Sequence, residues 1–244
     1  MSNLFIYGCS HSAHNHLEDY VNKITDTPQD YSNPWFPTDI DVDNPGVAAS
    51  WYNRIYNELN FNKFKCYALS GTSNNLILQQ ILATANEWES RDTIIIQRTD
   101  GLRQLNSATL LNKTNPRKLK EYKDRFNHQL ITIHTQEIQT MVKRSGDSLN
   151  SANCFLDYQE EFIIPFKKDF DLYWNNIFLD LIRTLNKANP HTKIYYWVDG
   201  IRDKFETIWE ASKGEYPDGH WSPKGNRDFA DYAIDCMKNN KMYF

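Results

Sequence analysis

Short apolar runs alternate with longer amphipathic stretches along this chain. Leu4-Phe5-Ile6-Tyr7-Gly8-Cys9 reads as a strand that stops in a turn at Gly8-Cys9-Ser10. Val47, Trp51, Ile55 and Leu59 recur every fourth residue, which predicts a helix with one buried stripe. Phe64 to Leu69 is a second strand, running into the polar turn Ser70-Gly71-Thr72-Ser73-Asn74-Asn75. Ser73 suits a helix N-cap, and the helix it opens extends from about Asn74 to Glu89. Asp92 to Gln97 is a third strand, whose unbroken isoleucine run suits a buried parallel strand. Residues 98–116 read as a loop. Phe126 to Lys143 reads as a long helix with Leu130, Ile133, His134, Ile138 and Met141 near one face. Phe170 to Ala188 is an amphipathic helix with Leu172, Ile177, Leu181 and Leu185 on one side, stopped at Asn189-Pro190. Lys193 to Val198 is a fourth strand. The last helix covers Pro223 to Asn239, with Pro223 in its first turn and Phe229, Ala233, Cys236 and Met237 on its apolar side.

Strands alternating with helices predict an α/β fold, a three-layer α/β/α sandwich around a central parallel sheet of about five strands. With no repeat, linker or low-complexity tract, a single domain over 1–244 is expected. A hydrophobic fraction of 40%, with 14% aromatic residues, supplies ample core. The net charge of −4 argues against a dedicated nucleic-acid binder. The N-terminus lacks the basic and apolar segments of a secretory signal, and no run reaches the roughly 18 apolar residues of a membrane-spanning helix. A cytoplasmic protein without nucleic-acid or membrane partners is therefore expected. Cys9, Cys66, Cys154 and Cys236 form no CxxC pair and are expected as free thiols. The Asn-rich, Ala-sparse usage points to an AT-rich genome, a phage's among them. The pattern is silent on oligomeric state.

The polar residues of interest cluster at strand ends. Ser10 follows the first strand, Gly71 and Asn74 the second, and Gln97, Thr99 and Arg103 the third, while Asp218 and His220 precede the final helix. In a parallel sheet these carboxyl ends share one edge, where open α/β folds place their ligands. A serine hydroxyl needs a base within about 3 Å to become a nucleophile, and His220 is the candidate, with Asp218 orienting it. The single residue between Asp218 and His220 makes their contact depend on the turn, and Gly219 permits unusual ones. Arg103 could bind an anionic or sugar-like substrate, or serve only as a surface arginine. Each of these residues has a plainer role too: Asp-Gly-His as a surface turn, Gly71 as a tight turn, Asn74 as a first-turn helix residue. Cys9 should face away from Ser10 and be buried. His11, His14 and His16 lack the further ligands a zinc site needs, so no metal or other cofactor is expected. Trp35, Phe36, Trp51 and Trp221 are either core or platforms for a sugar ring.

In their order along nearly the whole chain, these blocks resemble the SGNH, or GDSL-like, hydrolase superfamily. Gly8-Cys9-Ser10 is similar to the first block, which supplies the nucleophilic serine, with Cys9 in place of the usual Asp. Leu69-Ser70-Gly71-Thr72-Ser73-Asn74 is similar to the second, whose glycine N–H helps form the oxyanion hole. Asp218-Gly219-His220 is similar to the last, with the Asp and His of the triad. Its Asp-x-His form, followed by Trp221, is one residue shorter than the common Asp-x-x-His and resembles the block of alginate-acetylating relatives. The third block, normally Gly-x-Asn-Asp, reads Gln97-Arg98-Thr99-Asp100, so its oxyanion Asn is absent. Asn74, Thr99, Gln97 or backbone amides would have to serve, and one lost oxyanion donor costs about 10²–10³ in rate. The resemblance implies a serine esterase with a catalytic Ser10, Asp218 and His220, acting on an ester, above all an O-acetylated carbohydrate. It leaves two alternatives, an O-acyltransferase using the same triad and a non-catalytic carbohydrate-binding module.

Overall fold

A computed structural model describes residues 2–9, 11–12, 45–68, 73–99, 104–107, 130–133, 167–197, 199–216 and 218–244. The apolar run at the start of the chain becomes strand β1 (Leu4–Tyr7), every side chain of which is buried. Helices α1 (Pro45–Ala48) and α2 (Trp51–Glu58) lead to β2 (Phe64–Cys66), and α3 (Asn74–Thr84) leads to β3 (Thr93–Gln97). After β4 (Gln104–Ser107) and β5 (Leu130–Ile133) comes α4 (Lys167–Ala188), then β6 (Lys193–Trp197), a short α5 (Ile208–Ala211) and α6 (Pro223–Lys238).

The sheet is parallel, with the order β2-β1-β3-β6. Because successive strand residues face opposite sides, β1 divides its side chains between two cores. Leu4 and Ile6 join Ile95, Tyr195 and Trp197 against α2 and α6, while Phe5 and Tyr7 join Ile94, Ile96 and Tyr196 against α3 and α4. This is the α/β/α sandwich expected from the alternation, with four parallel strands among the described residues where about five were expected. The sheet edges are protected, as exposed strand edges must be. At β2, Lys65 pairs with Glu87 at 2.6 Å, and its ammonium holds that carboxyl below the usual range. At β6, the segment 242–244 lies alongside, with Tyr196 N donating to Met242 O (2.9 Å) and Phe244 N to Tyr196 O (3.1 Å).

Three expectations change. Leu130 to Ile133, read as part of a helix, is a strand paired antiparallel to Gln104–Ser107, which was read as loop. A run of Leu-Ile-Thr-Ile satisfies helical spacing and β propensity equally, and pairing decides; the rest of 126–143 lies outside the described residues. The helix expected over Val47 to Leu59 breaks between α1 and α2, where Ser50 accepts a hydrogen bond from Asn53 N and caps the second piece. On α4 the buried seam is Trp174, Phe178 and Ile182, one step around from the predicted stripe, and Leu172 is 59% exposed. Aromatic volume decides that seam, with Phe178 stacked on Tyr196.

Helix α6 begins where backbone meets backbone. A Cβ on Gly225 would stand 2.1 Å from the Glu206 carbonyl oxygen. Gly225→Ala should therefore destabilise the protein by about 1–3 kcal/mol or more, read as a lowered urea midpoint.

Candidate active site

Strands β1 and β3 are neighbours whose onward connections diverge. The chain leaves β1 for β2 through helices on one face, and leaves β3 for β6 through α4 on the other. Such a divergence opens a crevice beyond the carboxyl ends of the two strands. At that crevice stand Gly8 and Cys9 on one side and Gln97, Arg98 and Thr99 on the other.

Gln97 joins the two ends. Fully buried, its Oε1 accepts from Cys9 N (3.0 Å) and from Ser12 Oγ (2.7 Å), and its Nε2 donates to Cys9 Sγ (3.0 Å). Gly8 is required by this approach: a Cβ there would meet Gln97 Oε1 at 2.6 Å and Gln97 Cβ at 2.8 Å. Its φ is not positive, so close packing rather than a special turn explains the glycine. Cys66 donates its thiol to Ser12 O (3.4 Å), and burial pushes that thiol up to about 12, which keeps it protonated. Cys9 is buried, as expected. Its neighbour across residue 10, His11, holds its carbonyl against Trp51 Nε1 at 3.1 Å.

Asn74 and Thr99 are brought together, and with each other. Asn74 Oδ1 accepts from Thr99 N (2.9 Å) and Asn74 Nδ2 donates to Thr99 O (3.0 Å), both residues being buried. The side-chain amide thus copies a strand partner and ties the end of β3 to the start of α3. Ser73 caps that helix by accepting from Leu76 N. On this same face, which α3 shares with α4, Arg98 pairs with Asp171 of α4 at 2.8 Å.

The Asp218-Gly219-His220 turn is positioned by α5. A short helix leaves its first N–H groups without internal partners. Here Ile208 N donates to His220 O (2.7 Å), Trp209 N to Asp218 O (2.9 Å), and Glu210 N to Thr207 Oγ1 in a capping box. Two of the helix's unsatisfied amides therefore hold the two carbonyls that flank Gly219. Within the turn Asp218 Oδ1 accepts from His220 N (2.8 Å) and lies 2.5 Å from His220 Nδ1. With Asp218 ionised its carboxylate can only accept, so Nδ1 is then the protonated nitrogen and Nε2 the basic atom of the ring. Gly219 is not needed for the turn, because a Cβ there meets nothing within 4 Å and its φ is not left-handed.

The next residues fix the turn to the core. Trp221 bridges to Thr207 and stacks on Trp197 at 5.4 Å, and Ser222 Oγ donates to Glu206 Oε2 at 2.5 Å. Trp51 and Trp221 are at most 2% exposed, which makes them core, one of the two roles their type allows; Trp35 and Phe36 lie outside the described residues. The His11 and His220 rings meet at 4.7 Å, so the Asp-His turn and the end of β1 share one place. Ser10, Gly71 and Arg103 lie outside the described residues. Among the described residues no group of three or more His, Cys, Asp or Glu side chains is arranged to hold a metal ion, and no helix is long and apolar enough to cross a membrane.

Sequence reasoning missed the Gln97 bridge, Ser12 and the α5 amides. A buried glutamine at the end of an all-apolar strand was the available signal for the first, since such an amide must find partners.

No protein-family model matches the chain, and no curated protein matches it. Among solved structures it is similar to LAE5, an alpha/beta hydrolase enzyme from the metagenome of Lake Arreo, Spain, with a TM-score of 0.33 and 10% identity over 99% of this chain and 96% of that one. At that TM-score the likeness carries neither a residue role nor an activity across.

Gln97→Leu should remove the bridge, leave the Cys9 amide unsatisfied and lower stability by about 1–3 kcal/mol. Gly219→Ala should stay within about 0.5 kcal/mol of wild type. Chemical denaturation of both variants checks the pair.

Proposed function

We propose that this chain is a serine esterase of the SGNH type. The observation that carries the reading is the 2.5 Å contact between Asp218 Oδ1 and His220 Nδ1, in a turn that meets the end of β1 through His11. In this reading Ser10 attacks the ester carbonyl and transfers its hydroxyl proton to His220 Nε2. Asp218 holds the ring in the tautomer that leaves Nε2 basic and stabilises the imidazolium. The tetrahedral intermediate collapses, the leaving alcohol takes the proton from His220, and an acyl-Ser10 ester remains. Water, deprotonated by His220, then releases the acid.

The side-chain amides of Asn74 and Gln97 are engaged by Thr99 and by Cys9 and Ser12. We therefore assign them to positioning, and assign the oxyanion donors to the backbone amides of Ser10 and Gly71. Arg103 is proposed to meet substrate, and an O-acetylated carbohydrate remains the favoured class. The short Asp-x-His form followed by Trp221 is what favours acyl transfer as the alternative. The stacking of Trp221 on Trp197 accounts for that tryptophan by packing, and hydrolysis is the proposed reaction.

Steady-state hydrolysis of an aryl acetate tests the roles. Ser10→Ala and His220→Ala should abolish turnover, and Asp218→Asn should lower kcat by about 10²–10⁴ with little change in KM. Turnover that survives Ser10→Ala would overturn the esterase reading. Carbohydrate binding without turnover in wild type would point instead to a binding module.

A further inference from the structure

The ring of His11 is a second imidazole beside the proposed base, and the reading just given does not use it. Its centroid lies 4.7 Å from that of His220 with the planes inclined by 35°, and 5.4 Å from that of Trp221, the residue after His220. His11 is held in place from behind, because its carbonyl takes the indole N–H of the fully buried Trp51. Both histidines are half-buried, so their mutual charge is screened less than on an open surface.

We propose that His11 is a positioning residue for His220, and that the two imidazoles form one protonation unit that takes up only one proton beyond its neutral state. The proposal rests on the reading of His220 as the base. Asp218 lies on the Nδ1 side of His220 and draws the first proton to that ring. A neutral His11 then lies against an imidazolium, a favourable cation–π arrangement. A second proton would set like charges about 5 Å apart, which opposes protonation of His11 by about one pH unit or more. Titration therefore belongs to the pair rather than to either ring. During attack the proton leaving Ser10 would reach His220 beside a neutral aromatic neighbour.

Among the other described titratable groups, Cys9 beyond β1 and Cys66 on β2 are buried thiols, Glu206 accepts from Ser222, Glu210 is bound to Thr207, and Arg98 is paired with Asp171 across the sheet.

The test is a ring-carbon NMR titration of protein labelled with ¹³C-histidine. In wild type the His11 midpoint should lie below its value in the double variant Asp218→Asn/His220→Phe, by the excess of the nearer His220 charge over that of Asp218. The His220 curve should show a second inflection at the His11 midpoint, and His11→Phe should abolish it; this second readout decides if the double variant fails to fold. A role confined to packing would move neither. An unchanged His11 midpoint, or a single-step His220 curve identical in His11→Phe, overturns the proposal. Hydrolysis of aryl acetate by the same wild-type sample reads the esterase assignment separately. Coupled titration without turnover upholds the proton-sharing pair and overturns the esterase, and turnover without coupling does the reverse.

Discussion

The arrangement of this protein's candidate site depends on a buried amide. Gln97 closes a strand of isoleucines with a side chain that burial obliges to bond fully. It does so by bridging to Cys9 and Ser12 across the point where the connections of β1 and β3 diverge. That bridge fixes the backbone on both sides of residue 10, and Gly8 is what lets the two strands' ends come close enough for it. The same economy appears at Asn74 and Thr99, where one side chain satisfies both polar groups of a peptide leaving the sheet. Polar residues that look like candidate donors in sequence are here largely the means by which the crevice keeps its shape.

The second half of the site is built from the backbone of a four-residue helix. The amides at the start of α5 would be unsatisfied alone, and the carbonyls of Asp218 and His220 would be unsatisfied in an isolated turn. Each meets the other's need. Trp221 then anchors the turn in an aromatic cluster with Trp197 and Phe229, and Ser222 starts α6. A histidine held in this way has its tautomer set by Asp218 and its location set by packing.

The sheet was legible in the sequence because its four strands are short, apolar and separated by helices with clear stripes and caps, Ser73 among them. The antiparallel pair of Gln104–Ser107 and Leu130–Ile133 was not, since a four-residue run carries too little periodicity to separate helix from strand. The Asp218–His220 contact was anticipated as a question of local turn geometry. Its answer lay in α5, an element whose amides act through tertiary contacts and leave no trace in the spacing of Asp and His. The His11–His220 pairing was hidden for the same reason, as 209 positions separate the two rings along the chain. Trp51 and Trp221 could be placed in neither role from sequence, because volume buried in a core and surface offered to a sugar look alike there.

The central claim is an activated Ser10 served by His220. Intact mass after exposure to a fluorophosphonate tests it most directly, on wild type, Ser10→Ala and His220→Ala. One adduct on wild type, mapped to Ser10 and absent from both variants, is the predicted result. An adduct that persists in Ser10→Ala, or a wild type that stays unlabelled while hydrolysing no ester, would contradict it.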